Sequence, residues 1–170
     1  PEFSRFKTYW GRVFEAYVGR LLREFLPTVP GLKKRLWVEH EDGFEGGVDF
    51  IILDGADAAF IQVTTEHIPI NITLSGDWAE IKKSIRKLLI EREGKPGKAH
   101  RLGTAIQRFR DGSLRLNGIN QRDVRRIFPI LVMEHGLAQI PGITGEIRNL
   151  VAKETAMGEL ANFLEFWDIE

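Results

Sequence analysis

Three polar side chains interrupt two otherwise apolar runs: Asp49 in Val48–Leu53, and Gln62 and Thr64 in Phe60–Thr65. Both runs are rich in β-branched and aromatic residues, and Asp54-Gly55-Ala56-Asp57 between them carries turn chemistry. The segment therefore predicts a hairpin of two strands buried on both faces. A charge inside such a strand is costly unless it is paired or binds a cation. Side chains alternate along a strand, which puts Gln62, Thr64 and Glu66 on one face, and the hairpin can bring Asp49 onto it. A carboxylate beside an amide oxygen on adjacent strands is the beginning of a metal site. The same residues also fit a plainer arrangement, with Asp49 capping a turn and Gln62 and Thr64 bonded to neighbours.

A further carboxylate comes from the first element. Ser4–Leu26 predicts a helix, with Trp10, Val13, Phe14, Tyr17, Val18, Leu21, Leu22 and Phe25 at helical spacing and Pro27 as its stop. Glu15 falls at the edge of that apolar stripe, with Gly11 and Gly19 one turn to either side. Glycine inside a helix costs about 1 kcal/mol against alanine, and here the two leave room around the carboxylate. An ordinary boundary Glu reaching water, with glycines that let helices pack closely, is the other reading.

The chain has 170 residues, 24 Lys and Arg, 24 Asp and Glu, and no cysteine. That length suits one domain, expected over residues 4–170, and the lack of thiols rules out disulfides and thiolate metal sites. Pro1-Glu2-Phe3 reads as the remnant of a cleavable fusion, so further domains or subunits of a larger protein are possible partners, as is a homodimer. No apolar run approaches the roughly 20 residues of a membrane span, and the default setting is cytoplasmic, away from membranes. Charge is segregated. Trp78–Arg126 carries fourteen Lys and Arg against five Asp and Glu, so the rest carries ten against nineteen. A basic segment can attract polyanions even in a neutral protein, although many charge runs are only solvated faces.

Thr28–Lys34 is a loop with Pro30-Gly31, Arg35–His40 a short strand, and Glu41–Gly47 an acidic turn. The stretch from His67 to Gly76 is irregular. A second helix opens at Asp77, with Glu80 completing a capping-box pattern. Gly94–Lys98 is a flexible basic loop, and Ala99–Arg110 a short helix or an ordered loop. Ser113–Leu116 suggests a hairpin strand, and Asn120–Arg126 a helical turn. Ile127–His135 is a strand that Pro129 places near an edge, or starts effectively at residue 130. Thr144–Trp167 predicts a final helix. His40, His67, His100 and His135 lack ligand spacing.

Glu15 on a helix, Asp49 on the second of three strands and Gln62-Val63-Thr64 on the third, in the order αβββαβ, resemble the PD-(D/E)XK nuclease superfamily, whose fold is called restriction-endonuclease-like. The resemblance implies an α/β fold with a mixed central sheet flanked by helices. It further implies a Mg²⁺- or Mn²⁺-dependent endonuclease that hydrolyses phosphodiester bonds in DNA, or in RNA. Asp49, Gln62 and Glu15 would be metal ligands, and these three with Thr64 the catalytic set. Thr64 stands where the family has Lys, and Val48 where it has Pro. Three arrangements answer the missing charge: Lys82 or Lys83 reaches in, a second metal is recruited by Glu66 or Glu45, or the site is dead and the fold binds nucleic acid or a protein partner. An unrelated α/β domain with Glu15 far from Asp49 is the remaining alternative. For nucleic-acid binding the candidates are Lys82, Lys83, Arg86, Lys87, Lys95, Lys98 and Arg101, joined by Arg108 and Arg110. Such contacts follow the phosphate backbone and weaken with salt.

Overall fold

A computed structural model describes residues 2–29, 34–42, 47–92, 94–134 and 142–168. Five strands form one sheet in the order β1-β2-β3-β6-β7. They are β1 Lys34–Val38, β2 Phe50–Asp54, β3 Asp57–Thr64, β6 Arg126–Met133 and β7 Glu165–Asp168. The first three pair antiparallel, while β3–β6 and β6–β7 are parallel. The architecture is therefore mixed α/β, with helices on both faces of a mixed sheet. No helix of the described residues is long and apolar enough to cross a membrane.

Two separate cores follow from the alternation along the strands. Ile52, Ile61, Val63, Ile130 and Val132 meet Phe14 and Val18 of α1 (Glu2–Phe25) on one face. Ile51, Leu53, Phe60, Leu131 and Met133 meet α4 (Trp78–Leu89), α5 (Lys98–Arg110) and α6 (Ile143–Glu154) on the other. Phe60 and Phe109 pack edge to face there, with ring centroids 5.2 Å apart. Buried on both sides, β2 and β3 have the continuous apolar runs that the sequence displays.

The ends of the elements carry their own chemistry. Asp77 caps α4, its carboxylate accepting from the N–H groups of Ala79 at 2.9 Å and Glu80 at 3.3 Å. Glu80 does not close the capping box; it pairs with Lys83 instead. At the start of the parallel pair, Arg126 grips Asp57 with two bonds, Nε to Oδ1 at 2.7 Å and Nη2 to Oδ2 at 2.5 Å. This bond holds the Asp57 carboxyl below its ordinary pKa.

Several elements differ from the sequence expectation. The final helix stops at Glu154, because Thr155 is extended and Gly158 takes a positive φ of 53°. The chain then turns through Gly158–Phe163 into β7, so Phe166 and Trp167 belong to a strand. Ser113–Leu116 is a turn rather than a hairpin strand: Ser113 folds back onto Asp111, and Leu114 N–H bonds to the Arg108 carbonyl at 2.8 Å. The irregular stretch after His67 contains a short helix, α3 (Ile70–Ser75). The basic loop is a small hairpin of β4 (Glu91–Arg92) and β5 (Lys95–Pro96). A one-turn helix, α2 (Glu39–Asp42), follows β1. Pro129 lies in an interior strand, but β7 pairs only from Ile130 onward, so its missing N–H falls where that ladder has not begun. Pro30-Gly31, Glu45 and His135 lie outside the described residues.

Candidate active site

Asp49 sits one residue before β2, in step with the ladder: its N–H bonds to the Ile61 carbonyl at 3.0 Å. Its side chain turns across the hairpin onto β3. Oδ2 accepts from the Val63 N–H at 2.6 Å and from Nε2 of Gln62. The amide is thereby oriented, nitrogen to the carboxylate and oxygen away. Gln62 is 1% exposed, and its Oε1 has no hydrogen-bond partner. An unbonded buried carbonyl oxygen costs on the order of 1–3 kcal/mol unless something completes it. Thr64, also buried, accepts the Glu66 N–H on Oγ1 at 3.1 Å.

These residues stand where β3 and β6 end. The crevice beyond the carboxyl ends of parallel strands is where open α/β sheets bind ligands. Here it is a cleft of about 830 Å³, lined by Trp10 and Glu15 from α1, Thr64 at the end of β3 and Glu66 beyond it, Glu134 after β6, and Lys98. The hairpin face bearing Gln62 and Thr64 is packed by α5, not by the opening helix, which covers the opposite face. Glu15 reaches the cleft around the end of the sheet. Gly11 lines the same wall and is open, with only Thr65 Oγ1 at 3.8 Å from an added Cβ. Gly19 instead lets the Phe50 ring approach α1, to 3.0 Å from where a Cβ would sit.

Lys98, the first residue of α5, lines the same cleft as Thr64, Glu15 and Glu66. Burial lowers its pKa from the ordinary lysine value; Asp49 pulls it back up, Arg101 pushes it further down, and Glu15 and Glu66 raise it. Among the described residues no group of three or more His, Asp or Glu side chains is placed to hold a metal. Of the expected site residues, Glu15, Thr64 and Glu66 line the cleft, while Asp49 and Gln62 are buried behind it and do not.

Lys82 and Lys83 do not reach in. Lys82 pairs with Glu146 of α6 at 3.2 Å and lies over the Trp78 ring, and Lys83 pairs with Glu80 at 3.3 Å. Arg86 is tied to Glu154 at 2.8 Å. Lys87, Lys95, Lys98 and Arg101 instead gather in a groove of about 400 Å³ that adjoins the cleft. Spacing divides the basic run in this way: Lys82 and Arg86 are four apart and share a flank of α4, while Lys87 lies on another. Lys98 was legible as a basic residue but not as part of the cleft wall. Glu134 went unread. Its signal is an acid directly after an apolar strand, and it accepts the Trp10 indole N–H at 2.8 Å.

Gly97 fixes Lys98 in place. Its N–H bonds to the Ile90 carbonyl at 2.7 Å, and a Cβ there would fall 2.6 Å from Ile90 N and closer still to the Leu89 carbonyl. Gly97→Ala is expected to cost about 1–3 kcal/mol, because the backbone must shift. Chemical denaturation measures this, and unchanged stability would show that α5 starts with slack.

No protein-family model matches the chain, and no curated protein or solved structure matches it.

Proposed function

We propose that the chain is a metal-dependent nuclease domain of the PD-(D/E)XK kind, with a restriction-endonuclease-like core, that hydrolyses phosphodiester bonds in DNA before RNA. The observation that carries this reading is the buried, unpartnered Oε1 of Gln62 beside the Asp49 carboxylate. A hard divalent cation bound by few protein oxygens suits such a pair, since Mg²⁺ keeps several waters and takes one or two carboxylates plus substrate phosphate. Once bound by Asp49, Gln62 and Glu15, Mg²⁺ or Mn²⁺ would polarise the phosphoryl group and lower the pKa of an attacking water.

The chain's own residues do the rest. Lys98 offers an ammonium to a non-bridging phosphate oxygen as negative charge grows there, the task a strand lysine performs in the resembling family. Its partial burial strengthens that interaction, because the local dielectric is low. Thr64 packs rather than reacts. Lys87, Lys95 and Arg101 hold flanking phosphates.

A second reading, a fold of this kind that binds nucleic acid without cutting, is favoured by the lack of any three-acid cluster among the described residues. Incubation with plasmid and single-stranded DNA, in Mg²⁺, Mn²⁺ or chelator, separates the two. Cleavage only with metal is expected. Absence of both cleavage and calorimetric Mn²⁺ binding would leave the second reading.

A further inference from the structure

We infer that the nucleic acid threading this cleft is a single strand, its phosphates held by the basic groove and its bases stacked on aromatic side chains of α1. The inference rests on the nucleic-acid reading of the cleft, not on its power to cut. The cleft and the groove share Glu66, Lys87, Leu88 and Lys98, so they adjoin along a common wall. The two halves differ in chemistry. The groove half presents Lys87, Lys95 and Arg101. The cleft half presents Phe6 and Trp10, interleaved with Lys7 and Arg12 of the same helix.

Those aromatic side chains are not spent on the core. Phe6 is 59% exposed, Tyr9 65% and Trp10 40%, while Phe14 and Val18 of α1 belong to the buried cluster. Positions 6, 9 and 10 share one flank of a helix. The bond from Trp10 Nε1 to Glu134 holds the indole at the cleft wall. A duplex hides the faces of its bases in the stack and offers only their edges. An unpaired strand exposes those faces, and base–aromatic stacking beside a cationic track is how single strands are held without regard to sequence. Arg12, exposed on the same helix, adds the positive charge that a polyanion requires. A second copy of this chain could also cover an aromatic flank, but it would bring the same cations against themselves.

Fluorescence anisotropy in metal-free buffer tests this, with labelled oligothymidine against a blunt duplex of equal length. The single strand is expected to bind at least about ten-fold tighter, a difference of about 1.4 kcal/mol. Phe6→Ala and Trp10→Ala should each weaken single-strand binding roughly 5- to 150-fold, the range of one lost stack, and leave duplex binding unchanged. Phe6 is largely exposed, so its variant folds even if loss of the Trp10–Glu134 bond disturbs the other. Equal or tighter duplex binding overturns the proposal. So does unchanged single-strand affinity in Phe6→Ala, or a dimer in sedimentation that Phe6→Ala dissociates without loss of binding. Because no metal is present, loss of cleavage and loss of strand preference are read independently.

Discussion

Asp49→Ala is expected to reduce metal-dependent cleavage by at least about 10²–10³-fold, the range seen when a key electrostatic group is removed. Calorimetric Mn²⁺ binding should disappear with it. The substitution also has a structural cost. Oδ2 satisfies both the Gln62 amide and the Val63 N–H, and both are buried. Leaving them without an acceptor should lower stability by about 1–3 kcal/mol. Asp49→Asn separates the two effects, since it keeps an oxygen for Val63 while removing the negative charge. An Asn variant that still cuts at the parental rate would show that residue 49 serves the hairpin alone.

Lys98→Met is the second large effect, and its two consequences have opposite signs. Cleavage should fall about 10²–10³-fold with metal binding retained, because a cation facing the phosphate is lost. Stability should rise. Burial holds the folded-state pKa of Lys98 below the ordinary 10.5. Between the two pKa values the unfolded chain binds more protons than the folded one, so this group makes stability increase with pH across that window. Below it the folded state carries the full cost of a half-buried charge, which methionine removes. Urea unfolding at neutral pH should therefore find Lys98→Met more stable than the parent. The parental cleavage rate should lose its lysine-dependent part as pH rises through the lowered pKa, and the variant should lack that limb. A variant less stable than the parent, or equally active, would mean that Lys98 is a structural ion partner of the acids around it.

How far the sequence led can be judged residue by residue. The hairpin, its two-sided burial and the meeting of Asp49 with Gln62 were legible, because period-2 patterning and turn chemistry are local signals. The cap at Asp77 was legible for the same reason. The side of the sheet was not. Alternation tells which residues share a face but not which helix covers it, and Glu15 arrives around the end of the strands rather than over them. The fate of Lys82 and Arg86 depended on Glu146 and Glu154, more than sixty residues away. Lys98 was hidden by the glycines around it, which read as a flexible loop although Gly97 is fixed by close contact. The last segment was misread because Leu160, Phe163 and Leu164 continue an apolar pattern that suits a helix as well as a turn and a strand.

The paired hydrogen bonds between Arg126 and Asp57 lie at the far end of β3 and β6 from the cleft. A slip of two residues along the parallel pair would turn no side chain over, although burial on both faces opposes it. Such a slip would carry Glu134 about 6–7 Å along the sheet, at 3.3 Å per residue, and the Trp10 indole would lose its anchor. The clasp is thus the zero mark of a ruler: an exposed ion pair, of little weight for holding the molecule together, marks the register at which the second parallel strand stops with Glu134 under the Trp10 indole.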